Sequence, residues 1–202
     1  MAPTAPRAAA LAVLLGALAG CSSGPVAPPP SSTPSVYQSM SKPGAVLDRR
    51  AAADMISDLR RANGLPPVTL DPALNRFADE QAQAMARTDK LSHSAAGTLK
   101  ERIARSGYRN GGMVENVGAG HDTLADAFAG WRHSPPHLKN MLAPKMTRIG
   151  IAAARAPHSR YEVFWAMAMA DPNDPRPVVA AGGAPTGASG PAAPPFLFGG
   201  GN

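Results

Sequence analysis

The sequence predicts an α+β domain in which a small antiparallel sheet is held between helical layers. Three observations carry that reading. Apolar residues recur at helical spacing through the first half of the central region, and two segments near its end read as strands. Low-complexity ends flank a stretch of about 125 residues, long enough for a single core.

The first predicted helix spans Leu47 to Ala62, with Ala51, Met55, Ile56 and Leu59 on one side and Asn63-Gly64 as its stop. Asp71-Pro72 opens the second, Asp as N-cap and Pro at the first helical position. Leu74, Phe77, Ala78, Ala82 and Met85 follow as its apolar stripe, which reads as core. Thr98-x-x-Glu101 is a capping box for a short helix through Ile103 that Gly107 closes. Asp122 or Thr123 starts a fourth helix through Leu124, Ala127, Phe128 and Trp131. Ser134 can cap a fifth, with Pro135 at its first position and His137 at its third.

Thr147 to Ala154 is the first predicted strand, with Ile149 and Ile151 on one face and Gly150 and Ala152 on the other. In Tyr161 to Ala170, Tyr161, Val163, Trp165, Met167 and Met169 share a face opposite Phe164, Ala166 and Ala168. A strand apolar on both sides belongs inside a sheet covered on both faces. Turn residues between Ala156 and Arg160 predict that the two strands form a hairpin.

The ends of the chain have a different character. Arg7, the uncharged run Ala8 to Ala19 and Leu18-Ala19-Gly20-Cys21 describe a secretory signal peptide over residues 1–20. The apolar run is too short to span a bilayer stably. Leu-Ala-Gly-Cys matches the bacterial lipoprotein box, which implies cleavage before Cys21 and a lipid on its thiol. Ser22, a non-acidic residue after that cysteine, implies outer-membrane sorting in a Gram-negative cell. Cys21 is the only cysteine, so no intrachain disulfide can form. Residues 21–45 are Ser- and Pro-rich and read as a linker reaching up to roughly 70 Å in polyproline form. Residues 46–172 form the predicted domain, and residues 173–202 a Pro/Gly/Ala-rich disordered tail. Without residues 1–20 the chain has 19 Lys and Arg against 14 Asp and Glu. That mild excess suits anionic envelope polymers or an ordinary soluble surface. No basic patch interleaved with aromatics points to nucleic acid.

Chemistry concentrates in three places: His93 in Leu91-Ser92-His93, Glu115 in Glu115-Asn116-Val117, and His137 after Ser134-Pro135-Pro136. Two neutral imidazoles and a carboxylate converging in a cleft suit a divalent cation or a polar ligand. At a helix start, the positive end of the dipole disfavours imidazolium at His137. Asn116 reads as a residue that fixes its segment through backbone hydrogen bonds, Trp131 and Trp165 as core or cavity wall, and His121, His133 and His158 as solvated. Leu-Ser-His, Glu-Asn-Val, Gly130-Trp131-x-x-Ser134-Pro-x-His137-x-x-Asn140-Met141 and Arg148-Ile149-Gly150 occur in this order. Together they resemble the bacterial branch of the CAP superfamily (cysteine-rich secretory proteins, antigen 5 and pathogenesis-related proteins) from about Leu47 to Asp171.

The resemblance implies a three-layer α-β-α sandwich and a shared cavity with two histidines and, in many eukaryotic members, two glutamates. His93, Glu115 and His137 match three of those positions. The second glutamate is missing, and Ser134 stands about where it is expected. The cavity expected here is therefore His93, Glu115, Ser134 and His137, with His93, Glu115 and His137 as ligands for Zn²⁺ or another divalent cation. Three functions are compatible with it: a lipid-anchored extracytoplasmic module binding a small ligand, a cation or both; a metal-dependent hydrolase of envelope peptide or glycan, with Glu115 as base; and a structural envelope protein in which the cluster only pins the fold. No Gly-x-Ser-x-Gly or His-Glu-x-x-His motif occurs, so binding is favoured over turnover. The expected partners are the membrane, through Cys21, and an unidentified small ligand or envelope component.

Overall fold

The computed structural model describes Met1, residues 33–106, Tyr108 and residues 112–174. Residues 2–20 of the signal-peptide segment, Cys21, Gly107 and residues 175–202 of the C-terminal tail lie outside the described residues. The domain contains helices α1 (Arg49–Ala62), α2 (Pro72–Thr88), α3 (Leu99–Ser106), α4 (Leu124–His133) and α5 (Pro135–Met141). Its strands are β1 (Thr69–Leu70), β2 (Met113–Ala119), β3 (Arg148–Ala156) and β4 (Glu162–Ala170), ordered β1-β3-β4-β2 in one sheet. The pairs β2–β4 and β3–β4 are antiparallel; only the two-residue β1, which periodicity cannot reveal at that length, runs parallel to β3. This is the α-β-α sandwich.

Local chemistry places the helix starts. Asp48 accepts from the Ala51 N–H, Asp71 from the Ala73 and Leu74 N–H groups, and Thr123 from the Asp126 N–H. Thr98 and Glu101 form the expected reciprocal capping box. Ser134 occupies the N-cap position of α5, but its side chain makes no capping hydrogen bond.

Strand β4 is buried almost throughout because both of its faces are covered. Val163, Trp165, Met167 and Met169 pack with Ile56 of α1, Trp131 of α4 and Met141 of α5. Phe164, Ala166 and Ala168 meet α2 and its surroundings. Burying each of the larger side chains contributes about 1.5–3 kcal/mol. Tyr161 departs from the predicted alternation: it packs on the Phe164 side, with its ring edge-on to Phe164 at 5.5 Å. The cause is Glu162, whose φ of 58° interrupts the period of two just before the strand. On β3, a Cβ at Gly150 would lie 2.0 Å from the Leu74 carbonyl carbon, so the absence of a side chain lets α2 lie directly on the sheet.

The folded body begins inside the segment that composition assigns to the linker. Met40 is buried in the core, its N–H donates to the Asp122 carbonyl at 2.8 Å, and Ser39 Oγ donates to Asp122 Oδ1 at 2.7 Å. The hydroxyls of Ser39 and Ser41 hold the Asp122 carboxyl below its ordinary pKa. One buried methionine and two serines thus anchor a stretch that is otherwise too polar to fold alone.

Candidate functional site

Glu115 lies in β2, and its side chain is only 3% exposed. His93 lies in the irregular connection between α2 and α3, and His137 in the first turn of α5. The fold brings the first two together: His93 Nδ1 stands 3.0 Å from Glu115 Oε1. The third lies near enough to His93 to feel its charge. Burial, and then the charge of His93, lower the pKa of His137. The imidazole is thus biased toward neutrality as the sequence reading expects, although desolvation rather than the helix dipole is the leading cause. Ser134 is half-buried at the junction of α4 and α5. Among the described residues, its hydroxyl has no hydrogen bond to the His–Glu pair.

Two residues that residue types alone do not nominate hold the connection carrying His93. Gln81, fully buried on the apolar stripe of α2, donates from Nε2 to the Ser92 carbonyl at 2.5 Å and accepts from the Ala96 N–H at 3.2 Å. Arg102, fully buried on α3, brings Nη1 to 2.7 Å from Glu115 Oε2 and donates to the His93 carbonyl at 3.4 Å. Its guanidinium carbon sits 4.1 Å above the centre of the Phe77 ring. The Arg102–Glu115 contact is short enough for an ion pair but poorly aligned for a hydrogen bond, so Glu115 Oε2 lacks an aligned partner; Arg102 Nε, which is not part of that contact, lacks one as well. Both residues were legible in principle as polar side chains at stripe positions: Leu99, Arg102, Ile103 and Ser106 follow helical spacing.

A pair of asparagines sets the other side. Asn140 Nδ2 donates to the Glu115 carbonyl at 3.1 Å and to Asn116 Oδ1 at 2.9 Å, while Asn116 Nδ2 donates to the His137 carbonyl at 3.1 Å. Together they tie β2 to α5 across the site. Asn116 therefore acts through backbone contacts, as read from its type. Trp131 Nε1 donates to the Val117 carbonyl at 3.1 Å, and Trp165 Nε1 to the His121 carbonyl at 2.7 Å, so both indoles belong to the core. His121 is not a solvated residue: it is half-buried, with its ring over Gly118 and Gly130, where an added Cβ would fall 2.8 Å from Nε2 at Gly130.

The donor set narrows what a cation could use. Glu115 already faces His93 through Oε1 and Arg102 through Oε2, so it suits the role of outer partner orienting His93 better than that of direct ligand. Among the described residues, no group of three His, Cys, Asp or Glu side chains stands close enough to hold a metal ion as placed. The imidazoles of His93 and His137 are the donors that fit such an ion, with Glu115 behind the first. An open groove of about 460 Å³ borders the same connection, lined by Asp89, Lys90, Leu91, Ser92, Arg160 and Tyr161. It contains none of the three site residues, and the side-chain geometry defines the site instead.

Residues 53–169 match the family described as CAP, the cysteine-rich secretory protein family. The YkwD protein of Bacillus subtilis (strain 168) is 28% identical over 94 residues, which are 46% of this chain and 37% of that protein. An extracellular protein containing an SCP domain from Bacillus anthracis superposes with a TM-score of 0.53 at 24% identity, covering 60% of this chain and 39% of the other. An outer surface protein of Borrelia burgdorferi superposes with a TM-score of 0.55 at 19% identity, over 61% of this chain and 92% of that one. The chain thus spans well under half the length of the two Bacillus relatives, and the structural likenesses establish the fold.

Proposed function

This chain belongs to the cysteine-rich secretory protein (CAP) family, and on that premise we propose that it is an extracytoplasmic, lipid-anchored binding module whose His93–Glu115–His137 cluster takes a small polar ligand or a divalent cation. The observation that carries the reading is the contact of His93 Nδ1 with the buried Glu115 carboxylate at 3.0 Å. A carboxylate only accepts, so His93 donates from Nδ1 and its Nε2 bears the lone pair. His137 is held toward neutrality by burial. Two neutral imidazoles bind Zn²⁺-like cations or accept hydrogen bonds from a polar ligand. Hydrolysis with Glu115 as base is less well supported, because the carboxylate is almost fully buried and engaged on both oxygens. A purely structural cluster is the reading that the same engagement favours second. Leu18-Ala19-Gly20-Cys21 supports the lipid anchor, and the extracellular and outer-surface descriptions of similar proteins support the location. Among the described residues no helix is long and apolar enough to cross a membrane.

Calorimetric titration of Zn²⁺ into the metal-stripped mature chain tests the site. Binding is expected in the wild type, lost in His93→Ala and His137→Ala, weakened in Glu115→Gln, and fading as pH falls through about 6.5, where free imidazole protonates. Equal affinity in the double mutant His93→Ala/His137→Ala refutes the cation reading. If that double mutant does not fold, the structural reading takes precedence. Cys21→Ser should release the protein from the membrane fraction, or leave an uncleaved precursor there.

A further inference from the structure

We propose that Arg102 is a positioning residue of this cluster: from beneath Glu115 it fixes the orientation of the carboxylate, and so holds the ring proton of His93 on Nδ1. The inference deepens the functional reading above and rests on it for its consequence, though not for its test. Arg102 touches three parts of the assembly at once. It pairs with Glu115 Oε2 at 2.7 Å, donates to the His93 carbonyl at 3.4 Å, and donates to the Phe77 carbonyl at 3.4 Å while stacking on the Phe77 ring.

The alternative arrangement shows why a cation matters there. A carboxylate turned away from His93 would no longer accept from Nδ1, and the ring proton would no longer be held there. With the guanidinium 2.7 Å from Oε2, Oε1 stays turned to His93 as the acceptor of the Nδ1–H. A core role alone accounts poorly for this choice of residue. A buried ion pair is commonly matched or bettered in stability by apolar side chains of similar volume. The Arg102 pair, moreover, leaves Nε and Oε2 without aligned hydrogen bonds. The contact places charge more than it satisfies hydrogen bonds.

Nitrogen-15 NMR of the histidine rings in the metal-free mature chain, at a pH where imidazole is neutral, reads the tautomer directly. His158, exposed in the β3–β4 turn, serves as the internal reference. In the wild type, His93 is expected mainly as the Nδ1–H form. Arg102→Lys, which keeps the charge, should preserve that ratio, whereas Arg102→Gln should lower it at least fivefold, toward the value at His158. An unchanged ratio in folded Arg102→Gln, or a wild-type ratio matching His158, overturns the proposal. Should Arg102→Gln not fold, Arg102→Met carries the same comparison; failure of both to fold overturns the proposal in favour of a structural role. Zn²⁺ titration of the same samples separates the two readings. A wild type that binds no Zn²⁺ yet shows the Arg102-dependent ratio loses the cation site and keeps the positioning role.

Discussion

Arg60 and Arg102 are both completely buried, yet their surroundings treat them in opposite ways. Arg60 reaches from α1 to the end of α5 and finds only backbone: Nε donates to the Pro66 carbonyl at 2.8 Å, Nη1 to those of Met141 and Ala143 at 2.8 and 2.9 Å, and Nη2 to that of Pro144 at 3.1 Å. Burial lowers its pKa, with no carboxylate among these partners to oppose the shift. Arg102 meets a carboxylate at short range and leaves one of its own nitrogens unmatched. The first guanidinium is matched by backbone carbonyls at the end of α5 and in the segments that follow α1 and α5, and so serves the fold. The second leaves hydrogen-bonding capacity unmet where it meets Glu115 and the His93 carbonyl. A buried charge is thus read by its partners: full satisfaction by backbone marks a structural staple, and incomplete satisfaction by another charge marks a site.

The largest expected effect comes from breaking the staple. Arg60→Met should destabilise the domain by on the order of 4 kcal/mol in urea unfolding, since several buried carbonyls lose their donors together. The His93 tautomer ratio should stay as in the wild type; a change there would erase the distinction between the two arginines.

Next comes the charge pair. Arg102→Met leaves the buried Glu115 without its guanidinium partner, at a cost of about 3–5 kcal/mol, whereas Arg102→Met/Glu115→Gln should recover about 1–3 kcal/mol of it as coupling energy. No single second change can rescue Arg60→Met in this way, because its acceptors are backbone. Additive losses at residues 102 and 115 would show that the ion pair is not the operative interaction.

A smaller effect is expected at Asn140. Asn140→Ala removes two hydrogen bonds between α5 and β2, for about 1–2 kcal/mol, and should shift the His137 ring resonances. Loss of stability with unmoved His137 resonances would detach the asparagine pair from the site.

The smallest is a pH effect at His137, whose pKa is lower in the folded state than in the unfolded chain. The unfolded state therefore binds the proton more readily. Stability should fall as pH drops below about 6.5 toward the depressed folded value, and be fully present above it. Urea midpoints at pH 7.5 and pH 5 should differ more in the wild type than in His137→Gln. An equal difference in both would locate the acid sensitivity elsewhere.

By itself the sequence determined what local chemistry can determine. Asp71-Pro72 and Thr98-x-x-Glu101 announce their helices because caps act over three or four residues. The doubly apolar run from Val163 announces a strand covered on both faces. His93, Glu115 and His137 stand out because few residue types carry their chemistry and because their surrounding motifs resemble one family. The tertiary structure alone decided how those residues are held. Gln81 and Arg102 look like ordinary helix residues until the stripes they occupy are packed against the sheet. Asn140 gains a role only when α5 lies beside β2, and Met40 gains one only when Asp122 folds back to meet its N–H. Tyr161 changes sides at a single left-handed residue that no periodicity anticipates. The physical reason is common to all of these. Caps and stripes are interactions within one segment, whereas the partner of a buried polar group is set by a distant segment, and only folding brings the two together.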